Sequence, residues 1–186
     1  MGETQRLFFA LWPDEAARGA LISATASAVG QCGGRPVPAQ NLHVTLAFLG
    51  AVERARVAAL ADLARTCAAA LAQPSPLSLR FTLLARWRPQ QILCALTDAA
   101  PAAAQRLADA LKDGVAAGGF SPDLKPFQAH VTLARKVARL AGVPLMQPVL
   151  WSFDALALVD SRTEAAGPIY SVIELYPLVG AQKSRK

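Results

Sequence analysis

Alternating and periodic apolar positions divide the chain into strands and helices. The segment RLFFALWP, residues 6–13, predicts a strand because it is rich in aromatic residues and too short for a buried helix. Pro13 suits the first turn of a following helix, which is expected to run to about Val29 and to end at Gly30. After a loop rich in glycine and proline, HVTLAFLG predicts a strand that ends at Gly50.

The longest helical pattern follows this strand. Between Glu53 and Ala72 the apolar residues recur at helical spacing and predict a helix with one apolar face. The members of that face are Val57, Leu60, Leu63, Ala64, Cys67 and Leu71. The tripeptide PSP then breaks the helix, and residues 77–85 predict a strand.

The same order of elements then repeats. QILCALTD, residues 91–98, resembles the first strand, and a helix is expected from Pro101 to near Gly118. HVTLARKV, residues 130–137, predicts the second strand of this round. The next segment, ARLAGVPLMQP at 138–148, is too short and too rich in proline for more than a turn.

Strands at 151–161 and 169–178 are expected to close the chain. Because strand, helix, loop and HVTLA occur twice at almost equal spacing, we interpret residues 6–85 and 90–178 as an internal duplication within one domain. The expected fold is α+β, with two lobes related by a pseudo-twofold axis. Each lobe should have an antiparallel sheet with helices outside, the lobes should face each other across a central cleft, and residues 181–186 should form a basic tail.

Composition narrows the class of protein. The chain has 186 residues, of which 53% are hydrophobic and 17% charged, as expected for a folded globular protein. The net charge of +6 favours an anionic partner. Three cysteines, odd in number and outside any CxxC pattern, favour a reducing cytosol. No apolar run approaches the roughly 18 residues needed to span a bilayer, and residues 7–12 lack the features of a signal peptide.

The pentapeptide HVTLA is the most informative feature of the sequence. It begins at His43 and again at His130, which are the only histidines in the chain. In a strand, residues i and i+2 point to the same face, so each histidine should share a face with the threonine that follows, Thr45 or Thr132. A twofold arrangement would place the two pairs opposite each other across the cleft.

Two imidazoles and two hydroxyls suit the hydrolysis of a phosphate ester. One histidine can take a proton from water and the other can protonate the leaving oxygen, since the reference pKa is near 6.5. Threonine hydroxyls can donate hydrogen bonds to the phosphate oxygens. Two histidines fall short of the three protein ligands usual at catalytic zinc, so no metal or other cofactor is expected. These residues leave open which histidine is the acid.

The motifs and their surroundings resemble the two-histidine (2H) phosphoesterase superfamily, and within it the bacterial RNA 2′,3′-cyclic phosphodiesterases, historically called 2′-5′ RNA ligases. The matching stretches are RLFFAL, GRPVPAQNLHVTLAFLG, KPFQAHVTLAR and SRTEAAGPIYSVIELYPL, which together span residues 6–178. The resemblance implies opening of a terminal 2′,3′-cyclic phosphate on RNA, tRNA fragments included, to a 2′-phosphate.

The resemblance also implies roles for individual residues. His43 would donate a proton to the departing 3′ oxygen, and His130 would accept a proton from water. Thr45 and Thr132 would hold the phosphate, and Arg135 would grip the phosphate or stack on the terminal base.

Two further residues are candidates for substrate binding. Phe8 and Phe9 point to opposite faces of one strand, so one of them, assigned here to Phe9, could stack on a base. Lys125 precedes the second motif by five residues and could face the same anion. ARWRP at 85–89 is either an RNA-contacting loop or a charged turn, and the basic tail would add non-specific attraction to phosphate.

Several functions stay open at this point. Ligation is the same chemistry with a 5′-hydroxyl in place of water. Small cyclic nucleotides could replace RNA as substrates, and a non-catalytic binder of RNA ends is a third alternative. A monomer is expected, because no spare apolar helix face is evident.

Overall fold

Two antiparallel sheets form the framework of the protein in the computed structural model, which confirms the expected fold class. The structure describes residues 3–99, 101–123, 125–138, 146–164 and 167–179. The predicted basic tail at 181–186 and most of the predicted turn at 138–148 lie outside the described residues.

Nine strands and three helices occur in those ranges. The strands are β1 (Thr4–Leu11), β2 (Arg35–Pro36), β3 (Val44–Glu53), β4 (Leu77–Trp87), β5 (Ile92–Thr97), β6 (His130–Arg135), β7 (Val149–Phe153), β8 (Ala155–Glu164) and β9 (Gly167–Pro177). The helices are α1 (Glu15–Gln31), α2 (Val57–Ala70) and α3 (Ala102–Ala117). Short 3₁₀ turns at Ala39–Asn41 and Arg54–Arg56 precede β3 and α2 respectively.

The strand orders show how the two halves of the chain are shared. One sheet has the order β3-β1-β8-β9 and the other β2-β6-β5-β4-β7. β4, from the first half of the sequence, therefore pairs with β5, whereas β8 and β9 join β1. Each sheet contains strands from both halves, so the sheets do not coincide with the predicted segments 6–85 and 90–178.

The motif strands have matching positions in the two sheets. β3 pairs with β1 so that Thr45 lies opposite Ala10, and β6 pairs with β5 so that Thr132 lies opposite Cys94. In both pairs the register shifts directly after the threonine, and the leucine of HVTLA is the extra residue of a β-bulge. The two copies of the motif thus share a local backbone feature as well as a sequence.

The helices cover one face of the sheets. The indole N–H of Trp151, on β7, donates to the backbone oxygen of Ala17 in α1 at 2.7 Å, and α2 and α3 pack against β9 and β3. Residues of all three helices and both sheets belong to one buried core. On the opposite face of the first sheet, Phe8 and Ala10 of β1 pack with β8 in a separate small cluster. Within the described ranges, this cluster contains no residue from a helix.

Several predicted element ends are wrong by a few residues. α1 continues through Gly30 to Gln31, and the left-handed turn is made by Gly33, whose φ is +63°. At the other end, the Asp14 side chain caps the helix, so Pro13 lies outside it. β3 does not end at Gly50, because this residue, with φ +68°, forms part of a bulge opposite β1.

The predicted strand at 151–161 is also wrong. It is two strands, β7 and β8, which lie in different sheets and are separated at Asp154. Apolar and polar residues alternate from Trp151 to Asp154, and a continuous apolar run, residues 155–159, follows directly, so no glycine or proline marks the crossing. No helix among the described residues is long and apolar enough to cross a membrane.

Candidate active site

The two motif strands orient their side chains as predicted. Val44 and Leu46 are buried in the main core, at 0% and 2% exposure, while His43 and Thr45 are half-buried on the other side. In β6 the corresponding valine and leucine are buried too, and the histidine and threonine are again half-buried.

The two histidines lie near each other although they belong to different sheets. Cα atoms of β3 and β6 approach to within 8 Å without sharing backbone hydrogen bonds of a ladder. The positive charge of His130 contributes to lowering the pKa of His43, in agreement with this proximity of the two strands. The structure therefore brings the duplicated histidines together.

Backbone carbonyls fix the same tautomer in both rings. Nδ1 of His43 is 2.7 Å from the oxygen of Asn41, and Nδ1 of His130 is 2.8 Å from the oxygen of Gln128. A carbonyl oxygen only accepts hydrogen bonds, so each Nδ1 carries the proton. The Nε2 atom of each ring is then the nitrogen available for chemistry, as an acceptor when neutral and as a donor when protonated.

The Nε2 atoms differ in their partners. Nε2 of His43 is 3.0 Å from the hydroxyl oxygen of Thr45, whereas Nε2 of His130 has no hydrogen-bond partner among the described residues. At the second motif the neighbour of Thr132 is instead the thiol of Cys94, on the adjacent strand. Burial raises the pKa of this thiol to about 12, against the opposing effects of Thr132 and Arg135, so it stays protonated.

Aromatic rings surround His43. Trp12 stacks on it with centroids 5.5 Å apart and planes 20° apart, Phe8 lies at 4.9 Å, and Tyr170 meets it edge-on at 5.3 Å. Sequence reasoning missed Trp12 and Tyr170 as site residues. The alternation along β1 from Phe8 through Ala10 to Trp12 was a usable signal for the first. Tyr170 comes from β9, and no local pattern links that strand to the motif.

Trp87 contacts the other histidine. Its ring centroid is 4.5 Å from that of His130, at an interplanar angle of 51°. Trp87 is the aromatic residue of the ARWRP segment, so this segment reaches the site through its tryptophan. Two of the three tryptophans of the chain therefore flank the two histidines.

Both histidines have pKa values below the ordinary one. Burial is the main cause for His43, and the charges of His130, Arg135 and Arg18 act in the same direction, while the bond to Asn41 opposes them; the pKa falls to about 4. Burial also lowers the pKa of His130, again opposed by its backbone bond. At neutral pH and without a ligand, both rings are therefore neutral.

Two arginines contribute positive charge near His43. Arg135, at the end of β6, is exposed, and its charge acts on His43 and Cys94, so the structure places it at the site. Arg18, on α1, lies 5.2 Å from the centre of the Trp12 ring on which His43 also stacks. Among the described residues its buried Nη2 atom has no partner.

Phe9 and Lys125, both predicted to bind substrate, have no described contact with the two histidines. Phe9 is 0% exposed and belongs to the main core, so no face of its ring is free to stack on a base; the neighbour that contacts the site is Phe8. The side chain of Lys125 is 80% exposed and its ammonium pairs with Asp123 at 3.7 Å. No described contact joins Lys125 to either motif.

The described residues contain no group of three or more histidine, cysteine, aspartate or glutamate side chains arranged to hold a metal ion.

Comparison with known proteins points to one family. The family model of the 2′-5′ RNA ligase superfamily matches residues 12–164. A Thermus thermophilus protein named RNA 2′,3′-cyclic phosphodiesterase is 33% identical over 186 residues, covering 94% of this chain and 91% of the relative. An Escherichia coli protein of the same name is 33% identical over 144 residues, covering 77% and 79%.

Solved structures agree with these matches. A crystal structure of a phosphoesterase aligns with a TM-score of 0.85 at 28% identity, covering 96% of this chain and all of the other. The E. coli LigT structure in complex with 3′-AMP aligns with a TM-score of 0.81 at 28% identity and the same coverage.

Proposed function

The chain belongs to the 2′-5′ RNA ligase superfamily, and from this premise we propose that it hydrolyses terminal 2′,3′-cyclic phosphates of RNA to 2′-phosphates. The observation that carries the proposal is that the two HVTLA motifs have the same bulge and the same histidine tautomer. In both, the backbone bond is made by Nδ1, which leaves Nε2 for chemistry. The relatives named RNA 2′,3′-cyclic phosphodiesterase support the choice of substrate.

In the proposed mechanism His130 is the base. Its Nε2 has no described partner and its pKa is lowered, so at neutral pH it can accept a proton from the attacking water. His43 is the acid that protonates the 3′ oxygen as the P–O3′ bond breaks. Water supplies the new P–O bond, and the proton taken by His130 balances the one given by His43.

The phosphate is held by the groups around the rings. The hydroxyls of Thr45 and Thr132 would donate to the non-bridging oxygens, and Arg135 would contribute positive charge. Preorganised donors of this kind are worth more in a cleft partly shielded from water than in bulk solvent.

The acid role of His43 depends on the substrate. With a pKa of about 4, only about one ring in a thousand is protonated at pH 7 in the free protein. The cyclic phosphate brings a negative charge next to the ring, which raises the pKa. Substrate binding would therefore favour protonation of His43, the form that can act as the acid. The opposite assignment, with His130 as the acid and His43 as the base, is tested below.

We further propose RNA ends, tRNA fragments among them, rather than small cyclic nucleotides as the substrates. The uncovered face of the first sheet beside His43 exposes Phe48 by 50% and Leu175 by 55%, which would suit unstacked bases. Phe48 lies 5.9 Å from Phe8, so this surface is continuous with the site. A cytosolic location is consistent with the free cysteines Cys32, Cys67 and Cys94, and we propose that the protein is a monomer.

Ligation is the second candidate function, because the family carries that name. It would use the same two histidines with a 5′-hydroxyl as the attacking group. Water at roughly 55 M normally outcompetes a nucleic-acid end, so we favour hydrolysis. The product ratio measured with and without an acceptor strand decides between them.

Incubation with a short RNA ending in a 2′,3′-cyclic phosphate, in EDTA, tests the proposed function. We expect conversion to the 2′-phosphate, identified by comparison with authentic 2′- and 3′-phosphate standards. His43→Ala and His130→Ala should each reduce the rate by about 10²–10⁴. A lack of turnover by the wild-type protein, or loss of activity in EDTA, would contradict the proposal.

A further inference from the structure

Two arginines lie directly opposite each other beside the site. In the β2–β6 pair, Arg35 is the cross-strand partner of Arg135. Directly opposite residues on neighbouring antiparallel strands have Cβ atoms about 5 Å apart, and like charges in this arrangement are destabilising. Both side chains are exposed.

The chain holds this like-charged pair in place with several local features. Gly33 adopts a left-handed φ of +63° after α1, and Gly34 lies so close to β6 that a Cβ there would be 2.7 Å from the backbone oxygen of Arg135. Pro36 favours an extended conformation for Arg35 before it. The N–H of Val37 then donates to the oxygen of Leu133 at 2.8 Å. A strand of only two residues is thereby fixed against the end of the motif strand.

No acidic group compensates the two charges. All the aspartates and glutamates of the sequence lie in the described part of the chain. None has an oxygen within 4 Å of a nitrogen of Arg35 or Arg135, whereas Arg54, Arg65 and Arg162 each have such a partner.

The pair belongs to the same side of the sheet as the catalytic motif. On β5, Cys94 lies opposite Thr132 and Ile92 lies opposite Arg135. Residues i and i+2 of a strand share a face, so Arg135, and with it Arg35, lies on the face that carries Thr132. Arg135 is three positions after Thr132, with the bulge at Leu133 between them, so their Cα atoms are at most about 10 Å apart. The two arginines therefore lie to one side of Thr132 along the strand, near enough for the charge of Arg135 to act on His43.

We propose that Arg35 and Arg135 together bind the internal phosphodiester next to the terminal nucleotide of the RNA, which makes Arg35 a substrate-binding residue. The inference rests on the proposed function and deepens it, because it explains how the protein would favour an RNA chain over a free cyclic nucleotide. An anion between the two guanidinium groups relieves their repulsion, and each can donate charge-assisted hydrogen bonds to its oxygens.

The test compares two substrates with the same reacting group. One is a nucleoside 2′,3′-cyclic phosphate, which has no internal phosphodiester, and the other is a short RNA that ends in the same nucleotide. Arg35→Gln should raise KM for the RNA about tenfold, the loss expected for a hydrogen bond to a charged group, and leave KM for the mononucleotide unchanged. The salt dependence of kcat/KM for the RNA should also flatten by about 0.7 in log–log slope.

Arg106→Gln is the matched control. Arg106 is exposed on α3, which packs on the covered side of the first sheet, and it forms no described ion pair. The Arg106→Gln substitution changes the net charge by the same amount as Arg35→Gln and should leave KM for both substrates unchanged. Equal losses on both substrates with Arg35→Gln would place this arginine at the reacting phosphate, and no loss on either would remove it from binding; both results overturn the inference.

A binding measurement separates this inference from the proposed activity. A fluorescent RNA ending in a 2′-phosphate can be titrated with each variant and followed by anisotropy, with no turnover required. Weaker binding by Arg35→Gln than by Arg106→Gln supports the two-arginine site even if the wild-type protein proves inactive. Equal binding by the two variants contradicts the site while the hydrolysis assay is judged on its own result.

Discussion

The protonation of His43 should respond strongly to a bound phosphate. In the free protein its pKa is about 4, because burial and the charges of His130, Arg135 and Arg18 disfavour the protonated ring. We predict that saturation with a nucleoside 2′-phosphate, the product of the proposed reaction, raises this pKa towards neutrality.

The size of the shift follows from electrostatics. A negative charge about 4 Å from the ring is worth about 4 kcal/mol at an effective dielectric constant of about 20. One pKa unit corresponds to about 1.4 kcal/mol, so the shift is about three units. The pKa of His43 should therefore move from about 4 to about 7, close to the value that suits an acid at neutral pH.

Proton NMR can follow both rings, because the chain has only two histidines. Each Cε1–H resonance is assigned with the His→Ala variant and titrated between pH 3 and 9 with and without ligand. The kinetic counterpart is the pH profile. Since kcat/KM reports the free protein, its maximum should lie between the two lowered pKa values, on the acid side of 6.5, and should fall at higher pH as the last protonated ring is lost. The profile of kcat should extend to higher pH.

Two results would refute this reasoning. If His43 titrates at 6.5 or above in the free protein, its surroundings do not disfavour the charge as described. If its pKa is unchanged by saturating nucleoside 2′-phosphate, the phosphate does not bind next to the ring. The pKa of His130, which burial lowers in the free protein, should rise with ligand as well, because the proposed site puts the phosphate beside both rings.

Three further predictions concern single substitutions. Cys94→Ala gives Thr132 an alanine as its cross-strand neighbour, as Thr45 has in Ala10, so the Thr132 hydroxyl should bond to Nε2 of His130 and lower the pKa of that ring. The value of kcat should fall about tenfold and be restored by Cys94→Ser. An unchanged NMR titration of His130 in Cys94→Ala would count against this prediction. Gly34→Ala should push β2 away from β6 and weaken RNA binding more than mononucleotide turnover, measured with the two substrates above. Asp14→Ala removes the cap of α1 and should lower the free energy of unfolding by about 1 kcal/mol in urea without changing kcat, and a tenfold change in kcat would be unexpected.

The parts of the site that lie within a continuous segment were predictable from sequence. HVTLA occurs twice and includes both histidines, and the alternation of β-strands sets which of its side chains face the core. Val44 and Leu46 are buried in the core, in agreement with that prediction. The family expected from the resemblance is confirmed by the family model, which matches residues 12–164.

Features that depend on pairing between distant segments were not predictable. The chain crosses between sheets at Asp154 without a glycine or proline, so one strand was expected where there are two. Tyr170 reaches His43 only because β9 joins the sheet of β1 through β8.

Burial decided between two adjacent candidates. Phe8 and Phe9 are the same residue type and point to opposite faces of β1, and sequence alone could not show which face packs on the main core. The structure puts Phe9 in that core and Phe8 against the site. The pairing of Arg35 with Arg135 could not be predicted for another reason. The segment around Arg35 is rich in glycine and proline and was predicted to be a loop, whereas it contains the short strand β2.

The most direct test of the central claim, that the two histidines act on one phosphorus as acid and base, replaces the 3′ bridging oxygen of the cyclic phosphate by sulfur. A thiolate leaves without a proton, so the acid becomes dispensable. The proposed mechanism predicts that His43→Ala loses about 10²–10⁴ in rate on the oxygen substrate and little on the sulfur substrate, while His130→Ala is impaired on both. Rescue of His130→Ala instead would reverse the roles, and wild-type rates for either variant on the oxygen substrate would contradict the two-histidine mechanism.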